Sequence, residues 1–382
     1  MKKIITTVGT SIFTNYMKPE IQDSYDDYEK INVQFEKLES EPAQNYSEST
    51  VKISMRYLKK TISDEWFKRD NEPNTKASAE IKSILAIAKD VTEDVEVYLL
   101  ATDTVLSVLA CELVKEWFSE YKSAYAIDIQ FNKTLDVISK LQVLDKVSFE
   151  KEGLVNLITR FYVICENYFD NVILNITGGY KAIIPYITIL GQVNKVPVKY
   201  IFEDTDTLIE IPLLPLTIDK GIFEKYQDAF FKLEENSFLK KQDCHHFATE
   251  VESCLEIDSD GNVSFNSLGL MLWEKYKSGF FFFYTSDEVW TDIQNQPDIQ
   301  RILKTKFHIF EARQNKTEKK QDHYVYDDGD NNNRIYYFEV DGSIYIYKTF
   351  ESESKAKAFI NTPFEKTSEI DKAKLRKIEI LG

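Results

Sequence analysis

The stretch Asn175-Ile176-Thr177-Gly178-Gly179-Tyr180-Lys181 decides the reading of the fold. An apolar run, Val172 to Ile176, stops at two glycines, and a helical pattern, Tyr180 to Val193, begins at once. That is how a buried strand hands over to a helix in an α/β unit. Downstream, Val196 to Phe202 is a second β-rich run. Upstream, Gly153 to Phe169 is helical and Ala126 to Phe131 strand-like, while Val95 to Leu100 is a strand ending in Thr102-Asp103-Thr104 before an apolar helix through Trp117. Further back, Lys2 to Val8 breaks at Gly9-Thr10-Ser11, and a polar helical stretch follows to about Ser83. Strands alternating with helices predict an α/β domain, Rossmann-like, with a parallel sheet covered on both faces, over residues 1–216.

Beyond it the pattern changes twice. From Phe223 to Lys277 it is helical, interrupted by the turn Asp258-Ser259-Asp260-Gly261 between Cys254 to Ile257 and Val263 to Phe265. Helices around such a hairpin predict a winged-helix-like connector over 217–279. The tail, 280–382, carries β-rich runs at Phe307 to Arg313, Arg334 to Val340 and Ser343 to Phe350, the last two joined by Asp341-Gly342, a strong hairpin signal. Ile370, Ala373, Leu375 and Ile378 have near-helical spacing within Thr367 to Ile380. A small α+β domain is expected there.

Bulk properties agree with several domains. A chain of 382 residues, 43% hydrophobic and 13% aromatic, exceeds what one core usually organises. No charged-then-apolar leader and no run near the ~18 apolar residues that cross a bilayer are present, since Phe280 to Tyr284 is far too short. A cytoplasmic protein without membrane contact is therefore expected. Cys111, Cys165, Cys244 and Cys254 form no CxxC pair, as in a reducing compartment. Cys244-His245-His246 with Cys254 fits no common zinc spacing, so no metal is assigned there. The net charge of −16 argues against a nucleic-acid coat. It is unevenly spread: 16 basic and 14 acidic residues lie from Gln300 onward, and 31 basic and 49 acidic before it. A polyanion surface belongs in the tail or in one local pocket.

Two segments satisfy the rule that ligands of open α/β sheets sit beyond the strands' carboxyl ends. They are Gly9-Thr10-Ser11 and Thr177-Gly178-Gly179-Tyr180-Lys181. Glycines admit close approach of a phosphate, hydroxyls donate, and Lys181 adds charge. Neither matches GxGxxG or GxxxxGK[ST], so no dinucleotide cofactor or NTPase loop is indicated. The pair Thr7-Val8-Gly9-Thr10-Ser11 and Asn175 to Lys181 resembles the CARF family, the CRISPR-associated Rossmann fold, over residues 1–216. The resemblance implies a homodimer that binds cyclic oligoadenylate, cyclic tetra-adenylate being favoured, as an allosteric activator with no other cofactor. It implies Thr10, Ser11, Thr177, Gly178, Gly179 and Lys181 as ligand contacts. Asn15, Asp103 and Thr104 are added from their place near the same sheet edge.

For the tail, Phe310-Glu311-Ala312-Arg313, Arg334-Ile335-Tyr336-Tyr337-Phe338, Ile346-Tyr347-Lys348-Thr349-Phe350 and Lys366-Thr367-Ser368-Glu369-Ile370-Asp371-Lys372-Ala373-Lys374 resemble in order the RelE/HigB toxin superfamily. Two insertions, Asp327 to Asn333 and Glu351 to Phe364, depart from its pattern. The resemblance implies a metal-independent endoribonuclease that cuts mRNA on the ribosome and arrests translation. Arg313 and Arg334 are expected to bear transition-state charge on neighbouring strands, Lys348 to position or move a proton, and Lys366 to assist, with Lys316, Lys320 and His323 as an RNA-facing strip. Arg313 and His323 are too far apart for a HEPN pair. Two alternatives stand: a metal-dependent PD-(D/E)xK nuclease using Asp298, Glu318 and Lys320, and a ligand-responsive transcription regulator using the winged helix on DNA.

Overall fold

A computed structural model describes the chain except residues 19–27, 143–144, 167, 203–205, 219–220, 322, 328, 330–331, 341–342, 364–365, 367, 369–375 and 382. It separates into two compact units, Met1–Glu274 and Lys275–Gly382.

The first unit is built on a six-stranded sheet. Its strands are β1 (Lys2–Val8), β4 (Val95–Ala101), β5 (Ile127–Gln130), β6 (Val172–Asn175), β7 (Val198–Ile201) and β8 (Leu208–Ile211), in the order β5-β4-β1-β6-β7-β8. A two-stranded ribbon, β2 (Lys68–Arg69) and β3 (Glu72–Pro73), stands apart. All pairings in the main sheet are parallel except β7 with β8. The purely parallel sheet read from the sequence thus gains an antiparallel edge strand. Leu208-Ile209-Glu210-Ile211 is four residues long and half-buried, too short to stand out as periodic.

Side chains alternate across the pleat. On β1, Ile4 joins the core beneath the helices α1 (Ser11–Tyr16), α2 (Tyr28–Leu38), α3 (Ser49–Thr61), α4 (Ala79–Lys89) and α5 (Val105–Glu120). Ile5 joins the opposite core, beneath α6 (Leu154–Cys165) and α7 (Ile184–Asn194). Start signals are in the sequence: Ser78 accepts from the Ile81 N–H at the head of α4, Thr104 from the Ser107 N–H at α5, and Pro185 opens α7.

The rest of the first unit comprises α8 (Gln227–Asn236), α9 (His245–Glu250), α10 (Ser267–Lys277) and a small sheet, β10 (Leu255–Ile257), β11 (Asn262–Phe265) and β9 (Leu239–Lys240). The expected hairpin forms, with Gly261 at φ +72° in its turn. Phe230 stacks on Trp273 and Phe265 there. This segment groups with the first unit as far as Glu274, because Met271 lies in the α6/α7 core and its carbonyl accepts from the Tyr162 hydroxyl at 3.1 Å.

The second unit has a six-stranded sheet of its own. Its elements are β12 (Phe280–Thr285), α11 (Asp287–Gln294), α12 (Pro297–Ile302), α13 (Phe310–Asn315), β13 (Thr317–Lys320), β14 (His323–Tyr326), β15 (Arg334–Val340), β16 (Ser343–Phe350), α14 (Glu353–Phe359) and β17 (Arg376–Leu381). The order is β13-β14-β15-β16-β12-β17. β15 and β16 pair antiparallel up to Val340 and Ser343, as their sequences suggest, although the turn 341–342 itself lies outside the described residues. One face packs Ile335, Tyr337 and Ile346 against Ile293, Ile299 and Leu303. The other packs Tyr336, Phe338 and Tyr347 against Ala356 of α14.

Two expectations fail here. The run containing Arg313 is a helix, because Glu, Ala, Arg and Gln are good helix formers, and two residues separate it from the π-helical turn Leu303–Phe307. The end of the expected closing helix is the strand β17, whose Ile378 and Ile380 alternate into the core beside β12. Ile370, Ala373 and Leu375 lie outside the described residues.

Candidate functional site

In the first unit β1 lies between β4 and β6, so the strand order reverses at β1/β6, where such folds open a crevice. Both glycine segments leave the sheet at that point. They touch: a Cβ on Gly9 would stand 3.0 Å from the Gly179 nitrogen. Gly179 has φ +90°, and a Cβ on it would lie 2.6 Å from Thr7 Oγ1, the hydroxyl that donates to the Gly178 carbonyl at 3.0 Å. A Cβ on Gly178 would come within 2.1 Å of Glu80 Oε1. Glycine at 178 and 179 is therefore a steric requirement of bringing the loops together.

Glu80, in the first turn of α4, is 1% exposed. Its Oε1 accepts from the Gly9 N–H at 2.9 Å and its Oε2 from the Ser11 hydroxyl at 2.5 Å. Ser11 Oγ in turn accepts from the Ala79 N–H at 3.0 Å. The second loop is tied down similarly. Asn175 Oδ1 accepts from the Thr177 N–H and hydroxyl, its amide donates to Ser83 Oγ at 2.8 Å, and Thr177 Oγ1 accepts from the Ile201 N–H.

The predicted contacts Thr10, Ser11, Thr177, Gly178 and Gly179 are thus gathered in one place. Thr10, Ser11 and Gly179 are half-buried there, and Lys181 is exposed where the 3-10 turn Lys181–Ile183 leads into α7. Asp103 and Thr104 sit at the end of the neighbouring β4 in structural roles: Asp103 accepts from the Lys140 N–H at 2.8 Å, and Thr104 is the buried cap of α5. Asn15 is half-buried on α1. Glu80 escaped the sequence reading. Its signal was a carboxylate at the spacing of Ser83, Ile84 and Ile87, the buried stripe of α4.

In the second unit the predicted basic residues do not converge. Arg313 is 5% exposed; its Nε pairs with Glu339 at 3.1 Å and its Nη1 donates to the Phe307 carbonyl at 3.0 Å. Arg334, 8% exposed, pairs with Asp327 at 2.8 Å. Lys348 leans toward α11, 3.4 Å from Asp292 and 3.8 Å from Glu288. Lys366 lies on the other side of the sheet, over the Phe338 ring, and donates to the Glu339 carbonyl at 3.4 Å. The RNA-facing strip is broken, because His323 is buried between the Tyr347 hydroxyl and the Thr362 carbonyl at 2.8 and 2.9 Å; Lys316 is exposed and Lys320 pairs with Glu318.

Lys366 instead borders a cleft of about 510 Å³ lined by Thr317, Lys319, Tyr324, Tyr337 and Glu339 among others. Tyr324 is 46% exposed with Lys319 over its ring. Tyr337 shares a 2.9 Å hydrogen bond with Thr317, and burial pushes its phenol up, so it stays protonated. Aromatic faces interleaved with lysines suit stacked bases and their phosphates.

The residues named for a metal nuclease are differently disposed from what that site needs. Asp298 is on α12, paired with Arg301, rather than on a strand beside Glu318. Among the described residues no group of three His, Cys, Asp or Glu could hold a metal ion. The Cys244 thiol donates to the Lys240 carbonyl, and all four cysteines are buried and unbridged. No helix among the described residues is long and apolar enough to cross a membrane.

A family model described as CRISPR-associated protein (Cas_APE2256) matches residues 75–214, which contain Glu80, the Gly178-Gly179 loop and the strands from β4 to β8. This similarity supports an association with CRISPR systems. No curated protein matches the chain.

Proposed function

Proceeding from the CRISPR-associated similarity of residues 75–214, we propose that the chain is a ligand-switched endoribonuclease. Its first unit, as a homodimer, binds cyclic oligoadenylate, with cyclic tetra-adenylate as the favoured activator. Its second unit cuts ribosome-bound mRNA without a metal. The observation that carries the reading is the meeting of two glycine loops at the sheet's switch point, with Lys181 exposed beside them. That geometry suits a nucleotide better than a hydrophobic ligand.

RNA brings its own nucleophile to the second unit. The 2′-oxygen attacks phosphorus, the bond to the 5′-oxygen breaks, the 2′-proton leaves, and the 5′-oxygen takes up a proton, leaving a 2′,3′-cyclic phosphate. Lys366 and Lys319 can neutralise phosphorane charge at the cleft, and Tyr324 can stack a base. Arg313 and Arg334, consumed in ion pairs with Glu339 and Asp327, brace the strands that hold these groups. A cleft with two lysines binds free RNA weakly, so a substrate held in place by the ribosome fits it.

The test is a reconstituted translation reaction with labelled mRNA, run with cyclic tetra-adenylate, with cyclic hexa-adenylate and with neither, beside free RNA and DNA, all repeated in EDTA. Ligand-dependent cuts in translated mRNA that persist in EDTA are expected. Intact mRNA beside metal-dependent cleavage of free nucleic acid would refute the reading.

A further inference from the structure

We propose that Glu80 fixes the Ser11 hydroxyl as a hydrogen-bond acceptor, so that this hydroxyl reads a ribose 2′-hydroxyl of the bound nucleotide and not one of its phosphates. The inference rests on the nucleotide-binding reading of the first unit and deepens it.

A serine hydroxyl has one proton and two lone pairs. At Ser11 the proton is given to Glu80 Oε2 at 2.5 Å, and one lone pair takes the Ala79 N–H at 3.0 Å. The Ser11 hydroxyl makes no other hydrogen bond among the described residues and the residue is half-buried, so what that oxygen has left for a ligand is a single lone pair. The adjacent Gly9 N–H, which would be a donor in an anion-binding loop, is also given to Glu80, at 2.9 Å. Neither the Gly9 N–H nor the Ser11 hydroxyl proton is therefore left for a ligand. A phosphate oxygen carries only lone pairs and finds no partner in these two groups; it also meets the Glu80 carboxylate just behind the loop. A ribose 2′-hydroxyl has a proton to give and satisfies the remaining lone pair.

The second loop has the opposite character. Lys181 is exposed at the start of the helical run that continues into α7, which supplies positive charge and N-terminal helix polarity for a phosphate. The cradle thus divides its work, with sugar over Gly9 to Ser11 and phosphate over Gly179 to Lys181. Each ribose of a 3′–5′ cyclic oligoadenylate keeps its 2′-hydroxyl, so the arrangement separates ribo- from deoxyribo-ligands.

Titration calorimetry on the full chain, with cyclic tetra-adenylate and its all-2′-deoxy and all-2′-O-methyl counterparts, tests this. The natural protein should bind the ribo form at least about tenfold more tightly, as an acceptor left unpaired by the deoxy ligand requires. In Glu80→Gln the amide oxygen still accepts from Gly9, but the amide nitrogen now donates to Ser11, which turns the serine proton outward. A 2′-hydroxyl can also accept that proton, so Glu80→Gln should keep a preference for the ribo form, whereas the 2′-O-methyl ligand, which can only accept, should gain affinity relative to the ribo form. Ser11→Ala, which removes the acceptor, should bring the ribo-to-deoxy ratio to near one and serves if Glu80→Gln does not fold. Equal binding of the ribo and deoxy forms by the natural protein overturns the inference while leaving the ligand reading intact. So does a Glu80→Gln protein whose 2′-O-methyl-to-ribo affinity ratio equals that of the natural protein, which is the mark of a purely structural residue. Binding of none of the ligands by the natural protein removes the ligand reading and this inference with it.

Discussion

Lys366 and Arg313 sit on either side of Glu339, yet substitution should expose opposite roles. Arg313→Ala leaves a half-buried carboxylate and the Phe307 carbonyl without their partner, and should cost about 2 kcal/mol of stability in the second unit, read by urea denaturation. Lys366→Ala touches only an exposed side chain; it should leave stability within about 0.5 kcal/mol while lowering mRNA cleavage by at least about tenfold. If Arg313→Ala is stable but inactive, the guanidinium acts on substrate and the assignment of roles reverses. At this scale the sequence was legible where a residue's chemistry is local. Two glycine loops with hydroxyls name themselves. Glu80 and Arg313 take their meaning from Gly9 and Glu339, partners 71 and 26 positions away, and no short pattern contains both members of either pair.

Elements with a clear period were readable, and short or inserted ones were not. The alternation in β15 and β16 and the strand-to-helix handovers around β4 and β6 appear in the structure where the pattern put them. β8, with four residues, and β17, whose isoleucines also fit the tail of a helical pattern, did not declare themselves. The insertion Glu351 to Phe364 proves informative, since it supplies α14, which covers Tyr336 and Phe338. Tyr336 and His323 clasp it, and Tyr347 holds His323 in place. Tyr336 donates to the Ala356 carbonyl at 2.8 Å, and His323 bridges the Tyr347 hydroxyl and the Thr362 carbonyl. Tyr347→Phe removes the hydrogen bond between its hydroxyl and the imidazole in this buried place and should cost about 1 kcal/mol. Amide exchange over Glu353–Phe359 should quicken several-fold in response, whereas exchange in β1 should not change. Uniform acceleration across both sheets would mean that the clasp is not local.

Across the whole molecule, the two units have separate sheets and separate cores. Heating should therefore give two calorimetric transitions. Cyclic tetra-adenylate at a hundred times its dissociation constant should stabilise the first unit by about 2.7 kcal/mol and raise its transition alone. A single transition that moves as one would show that the units unfold together.

The placing of β1 and β12 within their sheets bears on how a ribosome makes this protein. β1 is paired on both sides by strands that emerge much later, Val95–Ala101 and Val172–Asn175, so its partners reach it only as the nascent chain lengthens. β12 waits in the same way for β16 and for β17, Arg376–Leu381. Domains translated earlier generally fold earlier. The first unit's sheet is thus complete while the strand that closes the second unit's is still unsynthesised, so whatever the second unit does begins only after the first has folded.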